Sequence, residues 1–448
     1  MLYFSFIMSL FLFFINFNLT QREYLHPSNI YYVIFVVTQF FCILGQEYYG
    51  ISFNGGTVFI ILSTMIVFTV VSLLSRKILM PNARNISSNP NVIEFNFWLK
   101  AIVLAIQIVT IFYFYNFINR LFIAGNGYSG SLPELINYYD QILKFNSIRG
   151  RELNISAAKV YYYLKAFTDA SSYIALYLLI KKYLVSKVVD KFFILIVANY
   201  SFFLLLQGSR SPLFRLITSA MILWYFLYFY LNDRKLNIKF IMKIINLMLL
   251  IVPFSILFLF LTGRNGDGGQ IDLLQYLYIY IGAPLLNLNN FISSAYNSLP
   301  LSHFFGEQTF YGAHAILQKL FGNYSSTIEY IVGSASWQNA SNGLSTGNVL
   351  TTYYPVVYDF GILGVLPISI IFSLYYILTY DRLFLIKSNK IIDFRLFLYS
   401  YLINDLVMLI FSNRFFETIL SIEFIRFYIF AAVIIYLLNR SYKGIENK

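Results

Sequence analysis

The sequence contains eleven apolar segments that are long enough to cross a lipid bilayer as helices. About 20 helical residues span the roughly 30 Å hydrocarbon core of a membrane. The segments lie near residues 2–19, 30–45, 57–75, 101–123, 158–180, 189–206, 213–231, 240–262, 355–379, 396–411 and 419–438. Composition supports this interpretation, because 58% of the residues are hydrophobic and only 12% are charged. We therefore predict an all-α, polytopic integral membrane protein with about eleven transmembrane helices, in a single membrane domain over residues 1–448.

The distribution of lysine and arginine predicts which side of the membrane each loop occupies. Alternate loops, together with the C-terminal tail, carry 20 of the 32 cations, and the opposite loops carry 10. An excess of cations marks the cytoplasmic side. The first apolar segment lacks a charged flank and a small-residue cleavage site, so we predict a retained span and not a signal peptide. The N-terminus is then expected outside the cytoplasm and the C-terminus inside it.

The charge and the rare residue types exclude several classes of function. The net charge of +12 is distributed over short loops, and no soluble domain is left to form a basic face for nucleic acid. A single cysteine, Cys42, excludes a disulfide framework within the chain. Three histidines leave little material for a zinc site, which usually has four N or S ligands. We expect no nucleic-acid partner, no metal site and no cofactor.

Two predicted external segments, 124–157 and 263–354, are longer than a connection between helices requires. Segments of this length usually carry a function or lack regular order. The second is rich in tyrosine and contains Trp337, which argues against disorder. We expect it to fold over the outer membrane face, with interfacial helices near 273–286 and 316–321.

One external turn combines a helix start with arginine. In QGSRSPLFRL, Ser211 is a typical N-cap residue and Pro212 suits the first helical position. The positive end of this helix and its free N–H groups would lie beside Arg210, and arginine binds phosphate oxygens in a bidentate manner. The pattern predicts an anion site formed by Ser209, Arg210, Ser211 and Arg215. The alternative is that the arginines only anchor the helix among lipid headgroups.

Two further arginines lie at predicted outer ends of spans. Arg264 belongs to the glycine-rich stretch TGRNGDGGQID, in which the backbone can approach a ligand closely. The alternative for Arg264 is an interfacial cation in a flexible loop. Arg414, in IFSNRFFE, is expected either to bind the ligand or to pair with Glu417 at i,i+3.

The predicted outer side also holds the candidate acids and bases. His303, Glu307 and His314 occur together in SHFFGEQTFYGAHAIL, and Asp359 occurs in VVYDFGILGV. Imidazole and carboxylate groups are the usual general acids and bases of enzymes. Asp359, His303 and His314 are therefore the candidate catalytic residues. The alternative for each histidine is an ordinary loop residue without a chemical role.

Ionisable residues within the predicted spans are costly, so they are expected to be functional or paired. Lys165 and Asp169 are spaced at i,i+4, and Glu423 and Arg426 at i,i+3. We predict that each pair neutralises itself. Asp405 has no cation nearby in the sequence, and we expect it to face the interior of the helix bundle.

Two motifs resemble a known family. They are QGSRSPL at the start of a membrane helix and NVLTTYYPVVYDFGILG, residues 348–364, at the entry to a late span. Both motifs, and the layout of spans with a large external loop before the late span, are similar to the Wzy-type repeat-unit polymerases of O-antigen and capsular polysaccharide. The resemblance points to Gly208, Ser209 and Arg210 in the first motif and to Tyr358, Asp359, Phe360 and Gly361 in the second.

The resemblance implies a GT-C-like membrane glycosyltransferase in the bacterial inner (cytoplasmic) membrane. Its substrate would be an oligosaccharide carried by undecaprenyl diphosphate, and its product a surface polysaccharide. Membrane lipid, a chain-length regulator and a flippase are the implied partners. The external arginines and Tyr358 would bind the substrate, and Asp359, His303 or His314 would accept a proton from the attacking hydroxyl.

Two other functions fit parts of the same sequence. A flippase or another transporter of lipid-linked oligosaccharide needs charges deep in a central cavity, which Lys165, Asp169 and Asp405 would supply. An O-antigen ligase would use the same donor and a different acceptor. Deletion of the large external loop separates the transporter from the two enzymes, because only transport can survive it.

Overall fold

The computed structural model describes residues 1–79, 96–145, 156–208, 211–232, 277–295, 298–321, 338–385 and 390–446. Helices form nearly all of the regular structure in these residues. One antiparallel hairpin pairs the short strands Gln338–Asn339 and Ser345–Gly347. The predicted all-α class is confirmed for this part of the chain.

Within the described residues, six helices are long and apolar enough to cross a membrane, which makes the chain a multi-pass membrane protein. They are Leu2–Leu19, Pro27–Leu44, Gly55–Leu79, Phe97–Asn126, Ser211–Leu231 and Ile422–Arg440. Other helices occupy four more of the predicted spans: Ser156–Ser186, Lys191–Leu206, Val365–Leu383 and Phe394–Val407. The predicted span at 240–262 lies outside the described residues, so the total of eleven spans stays a prediction.

Shorter helices connect these long ones. They are Gln46–Tyr49, Leu132–Phe145, the π-helical turn Tyr278–Gly282, Ala283–Ala295, Tyr311–Phe321, Tyr353–Phe360 and Arg414–Ile419, and the last long helix extends over Ile422–Glu446. The chain divides into two compact units. The first unit comprises Met1–Asn85, Ile271–Leu385 and Asp405–Ile422, and the second comprises Ile86–Gln270, Ile386–Asn404 and Glu423–Lys448.

Buried aromatic residues with bonded hydroxyls form the core of the first unit. Tyr31 stacks on Phe68 with ring centroids 3.9 Å apart. Its hydroxyl lies 2.6 Å from both Thr64 Oγ1 and the Tyr353 hydroxyl. A buried hydroxyl is costly unless it is hydrogen-bonded. This network therefore holds three helices of the unit in one register. Asp405 is fully buried in the same unit, as predicted.

The predicted single span at 355–379 is wrong, because the structure divides it into two helices. Tyr353–Phe360 ends at Gly361, which has φ +69° and ψ −176°. Only glycine adopts this backbone region readily. A Cβ atom on Gly364 would also collide with Phe360. The short helix and its Asp359 therefore lie outside the long helix Val365–Leu383.

The helix Ala283–Ala295 is buried on most of its sides. The interfacial helix predicted near 273–286 lies partly outside the described residues, and its described part forms the turn Tyr278–Gly282 and the start of Ala283–Ala295. The thiol of Cys42 donates to the Gly282 carbonyl at 3.3 Å, and Thr57 Oγ1 donates to Asn289 Oδ1 at 3.0 Å. Both contacts fix this helix against membrane helices of the first unit. The predicted helix at 316–321 is confirmed as part of Tyr311–Phe321, whose Phe321 is exposed.

Polar side chains in the second unit neutralise one another inside its helix bundle. Lys165 Nζ donates to Asp169 Oδ2 at 2.8 Å, which confirms the predicted i,i+4 pair. The Tyr200 hydroxyl donates to the other carboxylate oxygen of Asp169 at 2.9 Å. The guanidinium group of Arg426 lies over the rings of Tyr162 and Tyr163. Within the described residues Arg426 forms no ion pair with Glu423, so the predicted i,i+3 pair is wrong, and the cation lies over tyrosine rings instead.

Candidate functional site

Asp359 fixes a loop of the first unit through its carboxylate. Both oxygens accept the backbone N–H of Gln308, at 3.1 and 3.0 Å, and Oδ2 also accepts the N–H of Thr309 at 2.5 Å. The side chain is buried, with 5% of the residue exposed. Burial raises the pKa of the Asp359 carboxyl, and these N–H donors oppose the rise because they stabilise the charged form. The carboxylate thus holds residues 308 and 309 in place.

The same loop is tied to the short helix at two more points. The N–H of Leu301 donates to the Tyr358 carbonyl at 2.8 Å, and Ser302 Oγ donates to the Asp359 carbonyl at 3.1 Å. Within the loop, the N–H of His303 donates to Glu307 Oε2 at 3.0 Å. These bonds define the backbone on both sides of His303, whose own residue is exposed. The structure therefore presents His303 from a rigid turn.

A third segment brings Arg414 to this loop. Asn413 Nδ2 donates to the Thr309 carbonyl at 2.8 Å, and Phe416 packs on Phe310 with ring centroids 5.2 Å apart. Arg414 follows Asn413 directly and is partly exposed. Three stretches that are far apart in the sequence, residues 301–310, 353–361 and 413–417, therefore form one site, which we call the Asp359 cluster.

Arg414 makes only a weak ion pair in this cluster. Its Nη1 lies 3.8 Å from Glu417 Oε2, and 39% of its side chain is exposed. Exposed pairs of this kind contribute about 0–1 kcal/mol. Its Nε atom is buried and makes no hydrogen bond to any described residue. The predicted pairing is thus present, and the geometry leaves Arg414 able to bind an anion as well.

The histidines of the cluster differ in their surroundings. His314 Nε2 lies 3.0 Å from the Phe305 carbonyl. A carbonyl only accepts hydrogen bonds, so the neutral ring carries its proton on Nε2 and has Nδ1 as its acceptor. His314 is half-buried, whereas His303 is exposed. Of the two histidines among the three predicted bases, His303 is the more exposed.

Aromatic rings extend the site along the short helix. Phe291 stacks on Tyr354 with ring centroids 4.2 Å apart and lies parallel to Tyr358 at 6.3 Å. Such a face suits the apolar side of a sugar ring, because aromatic rings supply large, rigid contact area. The sequence analysis selected Tyr358 and missed Phe291, which lies beyond the interfacial helix predicted near 273–286.

The second unit contains the described part of the other motif. Ser211 begins the helix Ser211–Leu231, as predicted from the Ser-Pro pair. Arg215 Nη1 donates to the Tyr401 hydroxyl at 3.1 Å, and its guanidinium group lies 4.7 Å from the centre of the Tyr401 ring. This arrangement corresponds to the anchoring alternative for Arg215. Ser209, Arg210 and Arg264 lie outside the described residues.

The backbone conformation and the close packing at position 208 explain why that motif contains a glycine. Its φ is +71°, and a Cβ atom there would lie 3.0 Å from Asp140 Cβ and 3.2 Å from the Ile136 carbonyl oxygen. A side chain would therefore both strain the backbone and crowd the helix Leu132–Phe145. The glycine has a local structural reason that requires no ligand.

Sequence reasoning also missed Asn413 and the N–H groups that bind Asp359. Every residue except proline has a backbone N–H, so the sequence does not show which of these groups bind Asp359. Asn413 donates to a carbonyl that is 104 positions away in the sequence. Comparison with protein-family models, curated proteins and solved structures gives no match to this chain. The resemblance based on the two motifs therefore stays a prediction.

Proposed function

We propose that this chain is a membrane glycosyltransferase that polymerises lipid-linked oligosaccharide repeat units into a surface polysaccharide, O-antigen, capsule or exopolysaccharide. The reaction takes place at the outer face of a bacterial cytoplasmic membrane, which the chain crosses eleven times in a GT-C-like arrangement. The observation that carries the proposal is the Asp359 cluster, which joins a candidate base, a candidate anion-binding arginine and an aromatic face from segments that are far apart in the sequence.

The chemistry requires a proton acceptor and a site for the leaving group. A hydroxyl of one repeat unit attacks the anomeric carbon of a glycan on undecaprenyl diphosphate. The new glycosidic C–O bond forms as the bond to the diphosphate oxygen breaks, and the diphosphate leaves with the electron pair. The proton of the hydroxyl passes to a base. Negative charge therefore develops on the diphosphate, where cationic donors stabilise it.

We assign these roles to residues according to their surroundings. His303 is the base, because it is exposed and its backbone is held on both sides. Arg414 binds the diphosphate, because its ion pair is weak and 39% of its side chain is exposed. Asp359 positions the loop that carries His303. Arg210 and Arg264 remain candidates for the same diphosphate.

The rival functions make different demands on the cluster. A ligase would show the same cluster with another acceptor, and only an assay of acceptors separates it from a polymerase. A transporter would depend on Lys165, Asp169 and Asp405. The first two form a closed ion pair in the structure, which favours a structural role for them.

The test is a polymerisation assay with the purified full chain in lipid nanodiscs and a lipid-diphosphate-linked repeat unit. We expect a ladder of polymer lengths from the wild type. His303→Gln removes the base and keeps the size and polarity of the side chain, so turnover should fall about 10²- to 10⁴-fold, as general-base loss usually causes. Ser298→Ala, at an exposed position five residues before His303, is the matched control and should keep the ladder.

Two outcomes would contradict the proposal. Full turnover by His303→Gln would remove His303 from the mechanism, and His314 would then be tested in the same way. A wild type that makes no polymer but moves the lipid-linked unit across a vesicle membrane would show a transporter.

A further inference from the structure

A polar pocket in the first unit lies apart from the residues assigned above. Its volume is about 260 Å³, slightly below the range of about 300–1,000 Å³ that is usual for drug-sized ligands. Six of its lining residues carry an amide or a hydroxyl: Ser52, Asn54, Asn289, Asn290, Ser293 and Ser341. The described residues that line it include no ionisable side chain. The pocket therefore suits a small, neutral, hydrogen-bonding ligand.

Hydrogen bonds within the wall hold the pocket rigid. Asn54 Nδ2 donates to the Asn289 carbonyl at 3.0 Å and to Ser293 Oγ at 2.7 Å. Asn289 Nδ2 donates to the Ser52 carbonyl at 2.9 Å, and its Oδ1 accepts the N–H of Asn54 at 2.8 Å. These amides are occupied by one another. They form a fixed frame, so little conformational entropy is lost when a ligand binds.

Three other lining groups are available to a ligand. Within the described part of the chain, the side chains of Ser52, Asn290 and Ser341 make no hydrogen bond. An amide supplies donors and an acceptor together, and a hydroxyl does the same. Such groups match the adjacent hydroxyls of a sugar, each of which also donates and accepts.

The pocket adjoins the aromatic part of the Asp359 cluster. Asn290 lines the pocket, and the next residue, Phe291, stacks on Tyr354. The pocket wall comes from residues 50–54 and 341 as well, which both belong to segments predicted to be external. A glycan that reaches His303 along the aromatic face would therefore place a neighbouring sugar at the pocket.

We propose that this pocket binds one uncharged monosaccharide residue of the repeat unit, at a position separate from the diphosphate. The inference rests on the proposed function for the identity of its ligand. An anion is disfavoured there, since no lining residue is cationic. The pocket thus selects the sugar, and Arg414 binds the leaving group.

The experiment measures binding and polymerisation on the same preparations of the full chain in nanodiscs. The binding probes are methyl glycosides of glucose, galactose and N-acetylglucosamine, observed by saturation-transfer NMR, with inorganic pyrophosphate as the anionic comparison. Ser341→Trp fills the pocket with an indole. Ser294→Trp is the matched control, because Ser294 is exposed on the same helix as Asn290 and does not line the pocket.

We expect at least one glycoside signal in the wild type, its loss in Ser341→Trp, and its retention in Ser294→Trp. Asn290→Ala removes one hydrogen-bonding group worth about 1 kcal/mol net, so the KM for the lipid-linked unit should rise about fivefold at unchanged kcat. Asn290→Asp should weaken binding of the glycoside and leave pyrophosphate unbound at this pocket.

The outcomes separate the two proposals. Wild-type polymerisation by Ser341→Trp overturns the pocket and leaves the proposed function intact. A wild type that binds a glycoside, loses the signal in Ser341→Trp and makes no polymer overturns the proposed function and supports the pocket. If no glycoside binds to the wild type and Ser341→Trp does not change the polymer, the proposed sugar pocket is wrong.

Discussion

The Asp359 cluster of the first unit and the helix bundle of the second unit differ in how their polar residues are paired. In the second unit, cations meet partners on the helices around them: Lys165 pairs with Asp169, and Arg215 and Arg426 lie on tyrosine rings. In the first unit, polar residues from distant segments meet at the Asp359 cluster, where Arg414 and His303 remain accessible. Self-contained pairs stabilise a bundle, whereas accessible and incompletely paired groups can act on a ligand. This difference supports the proposal that the reaction takes place at the Asp359 cluster.

The largest expected effect comes from removal of the Asp359 carboxylate. Asp359→Ala leaves two buried N–H groups without their acceptor, each costing about 1–3 kcal/mol, and releases the loop that carries His303. We expect polymer to disappear from a gel of the nanodisc assay, with the protein still inserted in the membrane.

Asp359→Asn distinguishes a positioning residue from a base. The asparagine oxygen can still accept the N–H groups of Gln308 and Thr309, because both lie within reach of the same carboxylate oxygen, Oδ2. A positioning role predicts that Asn restores part of the turnover that Ala abolishes. Equal loss in both variants, with the loop unaltered in protease protection, would instead make Asp359 the base.

The next effect in size concerns Arg414. Charge-assisted hydrogen bonds contribute roughly 1.5–3 kcal/mol each, so Arg414→Ala should slow turnover about ten- to a hundredfold. Arg382→Ala, an exposed arginine at the predicted cytoplasmic side, is the matched control and should be silent. The measurement is the initial rate with the lipid-diphosphate donor. An unchanged rate in Arg414→Ala would show that Arg414 does not bind the diphosphate.

A change in the second unit should alter stability and spare turnover. Among the described residues, Lys165→Ala leaves the Asp169 carboxylate with the Tyr200 hydroxyl as its one partner. The cost should stay below the roughly 3–5 kcal/mol of a fully buried pair, because 24% of the lysine side chain is exposed. The double variant Lys165→Met, Asp169→Asn removes both charges, keeps an acceptor for Tyr200 and should recover most of the loss. Thermal unfolding in nanodiscs measures the stability of both variants. A large loss of polymer turnover in the stable double variant would show that the Lys165–Asp169 pair has a functional role and would favour the transporter hypothesis.

The sequence predicted features that depend on neighbours along the chain. Helix starts such as Ser211–Pro212 and pairs such as Lys165 and Asp169 follow from local chemistry and helical spacing. The Asp359 cluster could be predicted only as a set of residue types, because the bonds that assemble it join positions 50 and more residues apart. The break at Gly361 was also missed, since a glycine in an apolar run is compatible with a helix until its dihedral angles are known.

The smallest expected effect tests the anchoring role of Arg215. Arg215→Lys keeps the positive charge and loses the planar stacking on Tyr401, an interaction worth about 0.5–1 kcal/mol at a partly exposed site. If Arg215 only anchors its helix, turnover should stay within about twofold of the wild type and the unfolding temperature should fall slightly. Tyr401→Leu removes the same contact from the other side, so the double variant should be no less stable than Tyr401→Leu alone. A tenfold loss of turnover in Arg215→Lys at unchanged stability would place Arg215 on the substrate, and the second unit would then share in the chemistry.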